Sequence, residues 1–135
     1  MKNIIYTEDA PAPIGPYSQA ILAGGTLYCS GQIATDCLSG GIAEQTEAVC
    51  RNISAVLKAA DMQMEDVVKT TCFLADMEHF AAFNEVYARH FAHKPARSCV
   101  AAKGLPKGAL VEIEVVAVDI LRDAEKNSGK SPSKT

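Results

Sequence analysis

The alternation of helical and extended sequence patterns restricts the possible folds of this chain more than any other feature. Residues 43–60 carry apolar side chains along one helical face: Val49, Ile53, Val56, Leu57 and Ala60. That spacing predicts an amphipathic helix. Val67–Leu74 follows as a predicted strand that is apolar on both faces, because it is rich in β-branched residues.

The same alternation repeats toward the C-terminus. Asp76 is a suitable N-cap for a second helix. The apolar stripe of that helix consists of Phe80, Phe83, Tyr87 and Phe91. Pro95 prevents the helix from continuing, and extended patterns follow at residues 98–102 and 110–121. Because these two stretches are neighbours in the chain, we expect them to pair as a hairpin.

Strands are also predicted before the first helix. Ile4–Tyr6 is a short apolar stretch, and Gly24-Gly25 separates two apolar runs as in a tight hairpin. The predicted order is therefore β-β-β-α-β-α-β-β. Its β-α-β-α-β portion implies right-handed crossovers, which place both helices on one face of the sheet.

The other face of such a sheet has no cover of its own. Residues from Val67–Leu74 and from Leu110–Leu121 give that face apolar character. Large exposed apolar patches are uncommon on monomers, so the pattern predicts an oligomer. The alternative is a monomer whose open face is only mildly apolar.

Length and charge exclude several classes of protein. The 135 residues correspond to one domain, which we assign to residues 1–121, and the polar residues 122–135 are predicted to form a disordered tail. The net charge of −3 gives no indication of a basic surface that would bind nucleic acid. Residues 10–35 lack charges, but prolines and glycines interrupt them too often for a membrane span.

The cysteines indicate a reducing compartment. There are five of them, widely spaced and without a C-x-x-C pair. A disulfide framework or a zinc site requires paired, closer spacing. We therefore predict a soluble, cytoplasmic protein.

Arg97 is the first candidate for chemistry. It follows Pro95-Ala96 at the start of a short strand, and the planar guanidinium suits bidentate capture of a carboxylate or phosphate. An internal ion pair with a glutamate fits the pattern equally well.

Glu112 and Glu114 are two residues apart in a strand, so their side chains share one face with Leu110 and Val116. A carboxylate among apolar neighbours is either paired or raised in pKa and available for proton transfer. The alternative is a solvated strand face. Two carboxylates and one arginine near an apolar patch would suit a small anionic substrate.

The sequence leaves the roles of two further polar residues, Asn84 and Tyr17, undecided. Asn84 lies on the apolar stripe of the second helix, where its amide must find hydrogen-bond partners. Structural use is the commoner explanation for such an amide. Tyr17 follows Gly15-Pro16 in a rigid segment and either caps the core or lines a pocket.

These residues belong to motifs that resemble those of the Rid (YjgF) family. The motifs occur in order as IGPYSQ at 14–19, SGQI at 30–33, VVKTT at 67–71, FNEVY at 83–87, PARSCV at 95–100, LPKGA at 105–109 and VEIE at 111–114. The resemblance extends from residue 1 to about 121. Arg97 is typical of the deaminase branch of the family, RidA.

The resemblance implies an α+β fold of the chorismate-mutase-like type, assembled as a homotrimer with sites in clefts between subunits. It also implies that the last strand lies antiparallel beside the third, which differs from the hairpin expected above. The implied activity is hydrolysis of reactive 2-imino or 2-enamine acids, such as 2-iminobutanoate and 2-iminopropanoate, to 2-ketoacids and ammonia. No metal or organic cofactor is required, because an imine carbon is already electrophilic.

The resemblance further implies residue roles. Arg97 would hold the substrate carboxylate, and Glu112 would position or activate water and transfer protons. The remaining implied site residues hold the imine end and the water or shape the cleft: Ser30, Gly31, Cys99, Tyr17 and Asn84. The alternatives are an endoribonuclease, which the lack of a basic stripe disfavours, and a non-catalytic ligand-binding or chaperone-like module on the same scaffold.

Overall fold

The computed structural model describes residues 2–119, and the predicted polar tail lies outside this range. The elements follow the predicted order: β1 Lys2–Ile5, β2 Ala20–Ala23, β3 Thr26–Gln32, α1 Ile42–Ala59, β4 Val67–Leu74, α2 Phe80–His90, β5 Ala96–Ala101 and β6 Val111–Val118. The predicted hairpin joins β2 to β3. Its turn residues Gly24 and Gly25 have φ angles of 59° and 83°, which glycine adopts without steric cost.

The sheet has six strands in the order β1-β2-β3-β6-β4-β5. The expected hairpin between the last two strands is wrong, because β5 pairs with β4 in parallel and β6 lies between β3 and β4. β6 is antiparallel to both of its neighbours, as the family resemblance implied. This insertion places Glu112 and Glu114 in the centre of the sheet.

Both helices cover the same face of the sheet, as predicted. On β6 the inward-facing side chains are Val111, Ile113, Val115 and Ala117, all at most 2% exposed. They form one core with apolar residues of the two helices. Glu112 and Glu114 alternate with them and lie on the open face.

β4 is fully buried on one face only, and its open face is mixed rather than uniformly apolar. Thr70, Cys72 and Leu74 are fully buried beneath the helices, whereas Lys69, Thr71 and the apolar Phe73 are partly exposed on the open face. The β-branched residues of this strand therefore reflect strand propensity rather than burial on both sides. Tyr28 of β3 is 53% exposed and adds to the apolar character of the open face.

α1 and α2 are joined by an ion pair that makes stability depend on pH. His90 Nε2 lies 2.9 Å from Glu47 Oε1, and this contact lowers the pKa of Glu47 below its ordinary value of 4.5. A lowered folded-state pKa stabilises the fold above the ordinary value, and this contribution is lost as the pH falls through the lowered pKa. We expect Glu47→Gln to reduce the loss of melting temperature below pH 5 by about 2 °C.

Thermal melts between pH 7 and pH 3 measure this effect. Glu85→Gln is the matched control, because Glu85 is exposed on α2 and makes no ion pair within the described part of the chain. An identical pH dependence in the Glu47→Gln and Glu85→Gln variants would contradict the assignment.

Candidate functional site

Arg97 lies on a platform of aromatic rings. Its guanidinium carbon is 4.8 Å from the ring centre of Tyr87, 5.6 Å from that of Phe80 and 5.9 Å from that of Phe83. Its Nη1 donates a hydrogen bond of 2.8 Å to Asn84 Oδ1. No carboxylate of residues 2–119 lies within 4.0 Å of this guanidinium, so the expected alternative of an internal ion pair is wrong for this part of the chain.

The platform is held by α2 and β4. Asn84 and Tyr87 are three residues apart on α2 and therefore lie on the same side of the helix. The Tyr87 hydroxyl is 2.7 Å from Thr70 Oγ1, and this contact is buried. Cation–π contacts and one neutral hydrogen bond hold the guanidinium without neutralising it. Its remaining N–H donors suit an incoming anion.

The sequence predicted the aromatic residues of α2 only as core. Phe83 and Tyr87 are indeed buried, but their rings also support Arg97. The signal for this second role was Asn84, a polar amide within an apolar stripe. It lies beside Arg97 rather than fixing a loop, which answers the question that the sequence left open.

A concavity of about 490 Å³ opens above this platform. Its lining includes Asn84, Tyr87, Lys94, Pro95 and Arg97. The two basic side chains carry its formal charge. This surface, the arginine pocket, suits a small anion.

Glu112 lies in a second concavity, at the end of β3. Partial burial raises the pKa of its carboxyl above the ordinary value of 4.5, and the neighbouring Glu114 raises it further. A carboxyl group with a raised pKa is better matched to proton transfer near neutral pH. Glu112 is therefore the titratable group of this region with the properties of a general acid or base.

A β-bulge brings backbone close to Glu112. Cys29 pairs with Val115 and Gln32 with Ile113, so Ser30 and Gly31 together oppose Glu114. A Cβ atom on residue 31 would clash with the carboxylate of Glu112. The Glu112 side chain can therefore keep this position against the backbone because residue 31 is a glycine.

Ser30 anchors the bulge to the preceding segment. Its amide donates to Gln19 O over 2.9 Å, and its Oγ donates to Ser18 O over 2.6 Å. A single glycine inside an apolar strand pattern is a sequence signal for a bulge. Gly31 is such a glycine. It therefore marks, in the sequence, the part of β3 that bulges toward Glu112.

The concavity around Glu112 has a volume of about 1000 Å³, and we call it the acidic cleft. Five carboxylates line it: Glu8, Asp9, Asp36, Glu112 and Glu114. Lys107 also lines it, with a left-handed φ of 57°. Tyr17 is 51% exposed at its edge, which settles that this residue lines a pocket and does not cap the core. The excess of negative charge disfavours binding of an anion by this cleft alone.

The structure therefore separates the predicted site residues into two groups. Tyr17, Ser30, Gly31 and Glu112 line the acidic cleft, and Asn84 and Arg97 line the arginine pocket. Cys99 lines neither concavity, although it lies two residues from Arg97 on the same side of β5, and burial raises the pKa of its thiol.

Arg97 and Glu112 lie on opposite faces of the sheet. Arg97 pairs in register with the buried Thr70 beneath the helices, whereas Glu112 pairs with Phe73 on the alternate face. The acidic cleft and the arginine pocket share no lining residue. One copy of the chain therefore does not bring the two groups together.

Residues 2–119 contain no group of three or more His, Cys, Asp or Glu side chains arranged to hold a metal ion. No helix in this range is long and apolar enough to cross a membrane.

Comparison with known proteins gives consistent matches over most of the chain. The model of the family described as Endoribonuclease L-PSP matches residues 7–119. A human protein named 2-iminobutanoate/2-iminopropanoate deaminase is 44% identical over 124 residues, covering 87% of this chain and 90% of the human protein.

Two solved structures share the fold closely. RidA from the Antarctic bacterium Psychrobacter has a TM-score of 0.82 and 41% identity, covering 86% of this chain and 98% of that one. TdcF of E. coli, solved with bound serine, has a TM-score of 0.82 and 37% identity over the same shares of the two chains. The family-model match, the identities and the shared six-stranded architecture lead to one conclusion: the chain belongs to the Rid (YjgF) family.

Proposed function

We propose that this protein hydrolyses reactive 2-imino acids, such as 2-iminobutanoate and 2-iminopropanoate, and their enamine tautomers to 2-ketoacids and ammonia. The observation that carries the proposal is the guanidinium of Arg97. It is fixed by Asn84 and by aromatic rings and has no acidic partner among residues 2–119. Such a group is prepared to bind the carboxylate that every 2-imino acid carries.

The active site is composite and lies between two copies of the chain. Arg97 and Glu112 lie on opposite faces of one sheet, so a substrate that contacts both needs Arg97 from one copy and Glu112 from another. The open face of the sheet, with Tyr28 exposed on it, supports association of copies. A closed ring is the usual result when two different surfaces meet, and we propose a homotrimer.

The charges of the two surfaces favour this arrangement. The acidic cleft carries an excess of carboxylates, whereas the arginine pocket carries Arg97 and Lys94. Attraction between them promotes association and fixes its orientation. In the joined site, Arg97 holds the carboxylate of the substrate, and the acidic cleft surrounds the protonated imine nitrogen.

The proposed reaction begins with water at the imine carbon. The ionised Glu112 carboxylate accepts a proton from this water as its oxygen bonds to C2, and the C=N electron pair moves to nitrogen. Glu112 then returns the proton to nitrogen, the C–N bond breaks, and the departing ammonia takes the hydroxyl proton as the ketone forms. The products are one 2-ketoacid and one ammonium ion. The backbone at Ser30, Gly31 and Cys99 orients the water and the imine, while Tyr17 and Asn84 shape the cleft.

The relatives support the substrate class. The human relative is named for 2-iminobutanoate and 2-iminopropanoate, and TdcF was solved with serine, an amino acid with the same carboxylate. An RNA substrate is disfavoured, because the acidic cleft repels a phosphate backbone.

We expect the purified protein to accelerate release of 2-oxobutanoate and ammonia when threonine dehydratase supplies the imine in situ. The measurement is the rate of ammonia release with dehydratase in excess, so that hydrolysis of the imine limits the rate, and buffer in place of this protein is the reference. At matched concentrations, we expect at least a tenfold excess over the spontaneous rate. A rate equal to the reference, together with measurable binding of 2-oxobutanoate, would instead support the non-catalytic binding module.

A further inference from the structure

Gln19 is a buried polar residue to which neither the sequence motifs nor the proposed reaction assigns a task. Its side chain is 1% exposed and makes hydrogen bonds only to backbone. Its Oε1 accepts from Thr7 N over 2.7 Å. Its Nε2 donates to Thr7 O over 3.0 Å, to Pro11 O over 2.9 Å and, at the longer distance of 3.4 Å, to Ala10 O. This amide therefore fixes residues 7–11.

The backbone of Gln19 contacts the Ser30-Gly31 bulge, which also lines the acidic cleft. Its carbonyl accepts from Ser30 N over 2.9 Å. Ser30 is the first residue of the bulge, and the following Gly31 lies against the Glu112 carboxylate. One residue thus joins a loop that lines the acidic cleft to the backbone that Glu112 touches.

We propose that Gln19 is a positioning residue for Glu112, acting through the Ser30-Gly31 bulge and the loop 7–11. This proposal rests on the proposed function, because it concerns the geometry of the same reaction. If the amide is removed, residues 7–11 lose their shared anchor and the bulge loses its rigid support. Glu112 then samples positions in which it no longer meets the attacking water, and small displacements of this kind have large effects on rate.

The test compares Gln19→Met with Gln45→Met. Gln45 is a matched control, because it is also fully buried and also holds backbone: its Nε2 donates to Leu38 O and Gly40 O, and its Oε1 accepts from Leu110 N. Gln45 does not line the acidic cleft. Both variants replace a glutamine by an apolar side chain of similar length and should lose comparable stability.

We expect Gln19→Met to lower kcat about tenfold or more, with KM within about threefold of wild type, because Arg97 still binds the substrate carboxylate. Gln45→Met should keep both constants close to wild type at a similar fall in melting temperature. Equal kcat losses in the two variants, or an unchanged kcat in Gln19→Met, would overturn the positioning role.

Gln19→Asn is the milder variant if Gln19→Met does not fold. It keeps an uncharged amide but is one methylene shorter and cannot keep all the hydrogen bonds to the loop, so we expect an intermediate kcat. A wild-type kcat in Gln19→Asn, at a lowered melting temperature, would also overturn the role.

Hydrogen exchange separates this proposal from the proposed function. The amides of Thr7 and Ser30 should exchange at least tenfold faster in Gln19→Met than in Gln45→Met. Faster exchange with an unchanged kcat would leave Gln19 as a structural anchor only. If the wild-type protein has no deaminase activity, the proposed function is wrong and the positioning role of Gln19 in that reaction is wrong with it, whatever the exchange rates.

Discussion

Replacing Arg97 by alanine is expected to lower kcat/KM for 2-iminobutanoate by about 100- to 1000-fold, because the charged fork that binds the substrate carboxylate is lost. Most of the effect should appear in KM, since the carboxylate is present in both the ground state and the transition state. The coupled ammonia-release assay measures both constants. Isothermal calorimetry with 2-oxobutanoate measures the same loss without turnover.

Arg97→Lys and Arg89→Ala are the controls. The lysine variant keeps the charge but loses the planar fork and part of the stacking over Tyr87, so its kcat/KM should lie between those of wild type and Arg97→Ala. Arg89 is exposed on α2, and its removal should leave activity unchanged. If Arg97→Ala keeps kcat/KM within a factor of about two, Arg97 does not bind the substrate carboxylate.

Local sequence patterns predicted both α-helices and all six strands of the described residues, but not the pairing of β6. The amphipathic spacing in α1 and the Gly24-Gly25 turn depend on neighbouring residues, so a single sequence reveals them. Pairing between β3 and β6 joins residues more than 80 positions apart, as for Thr26 with Val118. No local pattern encodes that choice, and chain proximity favoured the wrong hairpin. Only the resemblance to a known family gave the correct order.

The candidate residues could be predicted, but not on which face of the sheet each one lies. Alternation within a strand places Glu112 and Glu114 together. It does not relate β5 to β6, because a register shift of one residue moves every side chain of a strand to the other face. The separation of Arg97 from Glu112 therefore became visible only from the register of both strands with β4.

The uncharged residues 10–35, which prolines and glycines interrupt too often for a membrane span, contribute to the acidic cleft. They supply Tyr17 and the Ser30-Gly31 bulge to the acidic cleft. Charged residues at both borders, Asp9 and Asp36, line the same cleft. The neutral segment therefore forms the part of the wall nearest to Glu112, and acidic residues surround it.

Glu112→Gln should lower kcat by about 100- to 1000-fold with little change in KM, because the proton acceptor is lost while Arg97 remains. The raised pKa of Glu112 also predicts that kcat/KM of the wild-type protein falls on acidification from a pH above 4.5, as the carboxylate becomes protonated. The residual activity of Glu112→Gln should lack this acid limb. A wild-type pH profile in the variant would exclude Glu112 as the base.

Mixing the two inactive proteins tests the composite site directly. If Arg97→Ala and Glu112→Gln chains are unfolded together and refolded in equal amounts, about a quarter of the subunit interfaces combine an intact Arg97 with an intact Glu112 from the neighbouring copy. The mixture should therefore recover about a quarter of the wild-type activity, far above the sum of the separate variants.

The double variant Arg97→Ala/Glu112→Gln is the control for this mixture. Refolded with an equal amount of wild type, it should leave about a quarter of the sites intact, whereas a site contained in one chain would leave about half. A site within one chain also allows no recovery when the two single variants are mixed. Arg97 and Glu112 lie on opposite faces of one sheet. We therefore expect the mixture of the two single variants to recover activity, and the mixture of the double variant with wild type to lose more activity than dilution alone would cause.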